Sequence, residues 1–173
     1  PIFLFSGFLF FISHNLPSIE EIKKTGRKPS IIFENEQGNI LTSYGDIYGE
    51  TIAPKDLPPH AIWAFLAAED RRFYSHFGVD IFGVLRALGS NIFKKNSLQG
   101  ASTITQQLAK NFLISTQRFD HSNRSLRRKI EEIMMSFWLE KNFSKDEILM
   151  MYLNRSYFGS GTLGIDAAAR KYF

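Results

Sequence analysis

From residue 60 onward the chain repeats apolar residues at helical spacing almost without a break. That pattern limits the fold more than any other feature. Blocks at 60–75, 79–94, 102–114, 122–141, 144–154 and 163–172 read as amphipathic helices. Gly78, Gly100, Gly159, Gly161 and Gly164 punctuate them, as glycine does where a helix stops. The chain is therefore expected to be mainly α. Only "SIIFENEQGNILTSYG", residues 30–45, carries β-like runs, set around Glu36-Gln37-Gly38 as a short hairpin.

At 173 residues there is room for one domain with a true core. The balance of 44% apolar and 22% charged residues is that of a globular chain and excludes a disordered one. No cysteine is present, so disulfides and thiolate metal sites are excluded. The net charge of +4 suits an anionic partner: nucleic acid, an acidic membrane surface or a phosphorylated substrate.

Residues 1–13, "PIFLFSGFLFFIS", are apolar and uncharged, but shorter than the roughly 20 residues that span a bilayer. The chain opens on Pro1 rather than Met, so the run reads either as the end of a transmembrane or signal-anchor segment or as a buried helix. Its density of Phe, Leu and Ile favours the anchor. Residues 14–56 read as a linker containing the hairpin, and residues 57–173 as the main domain. The C-terminus, "AARKYF", falls inside an apparent helix.

Four stretches carry candidate chemistry. In "FLAAEDRRFYSHFG", residues 65–78, Glu69 falls on the same helical side as Ile62, Phe65, Leu66 and Phe73. A carboxylate there is costly unless paired or given a task. Either it pairs with a neighbour such as Arg72, or burial raises its pKa into the range of a general acid or base. Asp70 falls at the edge of that stripe, free to stay ionised or orient a partner. His76 by itself reads more readily as structural. In "GASTITQQLAKN", residues 100–111, Ser102 is expected to cap a helix. Ser102 or Thr103 shares a face with Gln106 and Lys110. Hydroxyls, amides, a helix N-terminus and a lysine suit a ligand with sugar and phosphate oxygens. A capped surface helix fits equally.

In "RSLRRKIEEIMMSFWLE", residues 124–140, the expected apolar face is Leu126, Ile130, Ile133, Met134 and Phe137, with Met135 and Leu139 opposite. This predicts a central helix buried on both sides, with Glu132 among Arg128 and Lys129. An ordinary surface ion pair is the alternative. In residues 144–173, Ser144 and Glu147 form a capping box. The glycines at 159–164 follow no strand, which argues against a dinucleotide loop. The apolar run 79–95 reads as a core helix or as one resting on a membrane surface.

Together these stretches resemble the peptidoglycan glycosyltransferase domain, glycosyltransferase family 51. Its first motif, E-D-x-x-F-x-x-H-x-G, appears as Glu69, Asp70, Phe73, His76 and Gly78. The second, G-x-S-T-I-T-Q-Q-x-x-K-N, runs from Gly100 to Asn111. The third, R-K-x-x-E, is Arg128, Lys129 and Glu132. The fourth runs from Lys145 to Gly159, with Met150 where the family has an acid. The apolar start before a hairpin-containing linker resembles a class A penicillin-binding protein more than a monofunctional transglycosylase.

The resemblance implies a lysozyme-like glycosyltransferase fold over residues 57–173, cut short at the C-terminus. It implies polymerisation of lipid II into β-1,4-linked glycan, with inversion and release of polyprenyl diphosphate. By motif position Glu69 would be the general base. Glu132 would lie across the cleft, on the donor side, positioning the diphosphate or a divalent cation (Mg or Mn); no organic cofactor is implied. Lys110, Arg128 and Lys129 would neutralise the leaving diphosphate. Ser102, Thr103, Gln106 and Gln107 would hold sugar and phosphate oxygens. Asp70, Phe73, His76 and Asn111 are carried over with their motifs as substrate-binding residues. The implied partners are lipid II, the growing glycan strand, membrane lipid and other cell-wall proteins, not nucleic acid. The implied location is the outer face of a bacterial inner membrane, held by a single N-terminal anchor. The alternatives are a monofunctional transglycosylase, a lysozyme-like lytic enzyme and a non-catalytic scaffold. The basic cluster of Lys110, Arg128 and Lys129 favours synthesis over hydrolysis, which needs no diphosphate clamp.

Overall fold

In the computed structural model the described residues are 31–37, 40–44, 47–93, 102–116, 118–120, 122 and 124–173. An antiparallel hairpin, β1 (Ile31–Glu34) and β2 (Ile40–Tyr44), comes first, with an irregularity at Phe33/Glu34. Next come β3 (Ile47–Tyr48), α1 (Pro59–Glu69), α2 (Ile81–Phe93) and α3 (Ile104–Ser115). The chain continues through α4 (Leu126–Asn142), α5 (Lys145–Arg155), β4 (Thr162–Leu163) and α6 (Ile165–Tyr172). β4 pairs in parallel with β3. The mainly α architecture and the hairpin match the expectation.

The buried centre is α3. Ile104, Leu108, Ala109 and Phe112 have no exposed surface, and α3 packs against both α4 and α5. Met135 and Leu139 of α4 and Ile148, Leu149 and Leu153 of α5 close around it, equally buried. Each such side chain contributes about 1.5–3 kcal/mol of burial. The sequence pattern had assigned the central place to residues 122–141. Instead α4 fully buries only Glu131, Glu132, Met135, Ser136 and Leu139. On the stripe expected to be the apolar face, Ile130, Ile133 and Met134 are half-buried, while Leu126 is 84% exposed and Phe137 44%.

Two local expectations are also corrected. The helix expected over 60–75 ends at Glu69, because Asp70 takes a non-helical conformation (φ −159°, ψ 79°). The chain then makes one 3-10 turn at Phe73–Ser75. Phe73 thus enters the core (1% exposed) from a turn rather than along the stripe of α1. The cap of α3 is Thr103 rather than Ser102. Its hydroxyl accepts from the Gln106 backbone N–H (3.1 Å), and the Gln106 carboxamide oxygen accepts from the Thr103 backbone N–H (3.2 Å). The capping box at Ser144 and Glu147 is present as expected.

The expected membrane anchor and the location drawn from it are corrected too. No helix among the described residues is long and apolar enough to cross a membrane, and residues 1–13 lie outside the described residues.

Candidate functional site

The end of α1 determines the site. Ile62, Phe65 and Leu66 pack on the core, and Pro59 sits in the first turn, where its missing N–H costs nothing. Glu69 continues their side of the helix, but the packed neighbours stop before it. It is exposed, so the burial expected of it is absent, and Arg72 is not its partner. The Gln107 carboxamide donates to Glu69 Oε2 (2.8 Å); Oε1 has no partner among the described residues.

Asp70 is the buried acid of the pair, 6% exposed. Its Oδ2 accepts from the Ile104 backbone N–H at the start of α3 (3.1 Å). Both of its oxygens lie within 2.9–3.1 Å of His76 Nε2. An ionised carboxylate only accepts, so Nε2 carries the proton; Nδ1 is buried without a partner. Thr103 Oγ1 donates to the Gly78 carbonyl (2.6 Å). Gly78 has φ +82°, which favours glycine, and a Cβ there would also sit tightly against the Ser136 backbone at 3.1–3.2 Å. The segment 70–80 is thus pinned at Asp70, Phe73, His76 and Gly78, all positions of the first motif.

Beside this segment lies a cleft of ≈480 Å³, within the roughly 300–1,000 Å³ range of small-molecule sites. Ala67, Ala68 and Glu69 of α1 and Asp70, Arg71 and Arg72 form one wall. Asp80, Gly83 and Arg86 at the start of α2 form another, and Ser102, Thr103 and Gln107 complete it. Arg72 pairs with Asp80. Burial pushes the Asp80 carboxyl up, but Arg72, the Gly83 backbone and nearby His76 outweigh it and hold it below the usual carboxylate range. Arg71, Arg72, Asp80 and Arg86 were not among the candidates from sequence. Arg72 appeared only as a partner for Glu69.

Glu132 is 3% exposed and does not line the cleft, contrary to the expectation of two acids on opposite walls. It pairs with Arg128 and with Lys129 Nζ (3.2 Å). Lys129 also donates to Ser102 Oγ (3.2 Å), which links the buried acid to the cleft wall. Glu131, not anticipated, is equally buried, between Arg127 (3.0 Å) and Arg118 (3.7 Å). Of these pairs only Arg128–Glu132 is buried on both sides; the cations of the others reach solvent, where an ion pair contributes little. A divalent cation at Glu132 does not fit: its oxygens already meet two cationic side chains, and no three His, Asp or Glu gather among the described residues. Gln106 is buried in the capping box. Lys110 and Asn111 are half-buried farther along α3 and do not line the cleft.

The transglycosylase family model matches residues 37–173. Penicillin-binding protein 1A of Escherichia coli is 38% identical over 167 residues, covering 96% of this chain and 19% of that protein. The protein of the same name from Pseudomonas aeruginosa is 36% identical, covering 98% of this chain and 20% of its own length. That from Neisseria flavescens is 39% identical, covering 91% and 19%. The chain spans about a fifth of the length of the curated relatives it matches.

Proposed function

The chain belongs to the transglycosylase family, and from that premise we propose that its cleft performs peptidoglycan glycosyl transfer, joining lipid II units into β-1,4-linked glycan with inversion and release of polyprenyl diphosphate. The reading concerns glycosyl transfer by this domain, whatever else the whole protein carries. One observation carries it: an exposed carboxylate, Glu69, stands at a cleft whose walls also present Arg71, Arg72 and Arg86. A carboxylate with one oxygen held by Gln107 can take the proton from an attacking sugar hydroxyl with the other, a step worth typically 10²–10⁴ in rate. The arginines suit a diphosphate leaving group, which a hydrolase would not need.

Lipid II and the growing strand are the partners in this reading. The exposed Ile81, Phe82 and Leu85 of α2, on the same helix as Arg86, suit a substrate with a polyprenyl tail. Lys129 reaches the cleft through Ser102, and Glu132 holds Lys129 and Arg128 in place rather than touching substrate. The test is polymerisation of lipid II by the whole protein and by its Glu69→Gln variant. Product from the parent and none from the variant, with lipid II binding retained, is the expected result. Normal turnover by Glu69→Gln removes Glu69 from the mechanism.

A further inference from the structure

Gln107 stands between two groups of unlike character. On one side is Glu69, 2.8 Å from its Nε2. On the other is the hydroxyl of Tyr152, from α5, 3.4 Å from its Oε1. The donor and acceptor roles follow from chemistry rather than from how the amide was oriented. An ionised carboxylate only accepts, so Gln107 must turn its NH₂ group toward Glu69. Its carbonyl oxygen then faces Tyr152, whose hydroxyl must donate. The Tyr152 contact is long for a hydroxyl donor, so its effect is directional more than energetic. Tyr152 itself cannot drift: it is 6% exposed and lies within the core formed by α3, α4 and α5.

We propose that Tyr152 is a positioning residue for the reaction: through Gln107 it keeps an amide N–H aimed at Glu69 Oε2, so that Oε1 stays turned to the cleft. This rests on Glu69 being the base. With Glu69 ionised every group in the relay has its complement. A proton taken onto Oε1 leaves Oε2 an acceptor, so the Gln107 amide keeps its place through the transfer. Burial first, and then the charge of Glu69, push the Tyr152 hydroxyl pKa up, which keeps it a donor through the working range. The other charged groups around Glu69 are Asp70, Arg71, Arg72, Asp80 and Arg86. None is altered by removing the Tyr152 hydroxyl.

Tyr152→Phe in the full-length protein tests this, because phenylalanine keeps the ring and removes only the donor. The direct readout is the ¹⁵N-labelled side-chain amide of Gln107, whose hydrogen exchange should quicken about tenfold, or by about 1.4 kcal/mol of protection. In polymerisation, kcat should fall about tenfold with KM within about twofold. If Tyr152→Phe is too unstable to measure, Glu69→Leu, which removes the acceptor altogether, supplies the same readout: the Gln107 amide should lose its protection there too. An unchanged Gln107 amide in either variant overturns the relay, even if the rate falls. Failure of the parent protein to polymerise lipid II would overturn the glycosyltransferase reading instead, and the amide measurement would still decide the relay.

Discussion

Asp70 should govern stability more than ligand binding, and its substitution separates the two roles. Asp70→Ala leaves two donors without acceptors, the Ile104 backbone N–H and His76 Nε2, where Asp70 is 6% exposed and the His76 side chain 8%. Each orphaned buried donor costs about 1–3 kcal/mol, so the two together cost about 2–6, lowering the melting temperature by about 4–24 °C at roughly 2–4 °C per kcal/mol. Asp70→Asn should be milder. Its carbonyl still accepts from Ile104, and its amide can donate to Nε2 once the imidazole moves its proton to Nδ1, the atom now without a partner. About 1–2 kcal/mol is expected for that change, since a charge-assisted bond becomes a neutral one. The assay is urea unfolding followed by helical circular dichroism, with lipid II binding measured beside it. Asp70→Ala within about 1 kcal/mol of the parent, combined with lost lipid II binding, would refute the structural role and make Asp70 a ligand.

Two further expectations follow from burial and charge. Leu139→Ala, fully buried on α4, should cost about 2–5 kcal/mol, whereas Leu126→Gln, 84% exposed on the same helix, should stay within about 0.5; urea midpoints of the two variants check which face of α4 packs. The carboxyls of Asp80 and Asp166 are both held below the usual range, against burial, by Arg72 and Arg170 respectively. A lowered pKa in the fold gives stability that is complete above the unfolded value of about 4 and is lost as pH falls through the folded value. Urea midpoints should therefore drop as the pH falls below about 4, with a shallower drop in Asp80→Asn; an equal slope in that variant would remove Asp80 from the account.

The helices were legible because periodicity reports the burial of whole faces, and α3, α5 and α6 lie close to where the apolar spacing put them. What failed were choices between two defensible faces or caps. On α4 both the stripe of Leu126, Ile130, Ile133, Met134 and Phe137 and the opposite side of Met135 and Leu139 were expected to be buried. Only the second side is fully buried, and it takes Glu131 and Glu132 in with it, which only paired arginines and a lysine make tolerable. Those partners include Arg118, outside the helix, which no local pattern reveals. At the second motif Ser102 and Thr103 were equally good caps by residue type. The Gly78 carbonyl decided for Thr103, and that contact spans 25 residues of chain. Glu69 was singled out as a carboxylate on the apolar stripe, and the structure leaves it exposed. It shares the side of the core-facing residues but lies past the point where the core ends.

The two consecutive acid pairs show how backbone geometry assigns different work to similar sequence. In Glu131-Glu132 the helix continues, successive side chains diverge by only about 100°, and both acids turn inward, where each needs two cations. In Glu69-Asp70 the helix ends between them. The non-helical backbone at Asp70 sends that carboxylate down to Ile104 and His76 and leaves Glu69 up at the cleft. The burial of one acid thus requires the exposure of the other. The first motif can then be understood as a single device: Phe73 fills the core, His76 holds Asp70, and Gly78 closes the turn beneath Thr103. Each of these lies out of the cleft, and each helps determine where the one exposed carboxylate of the motif stands.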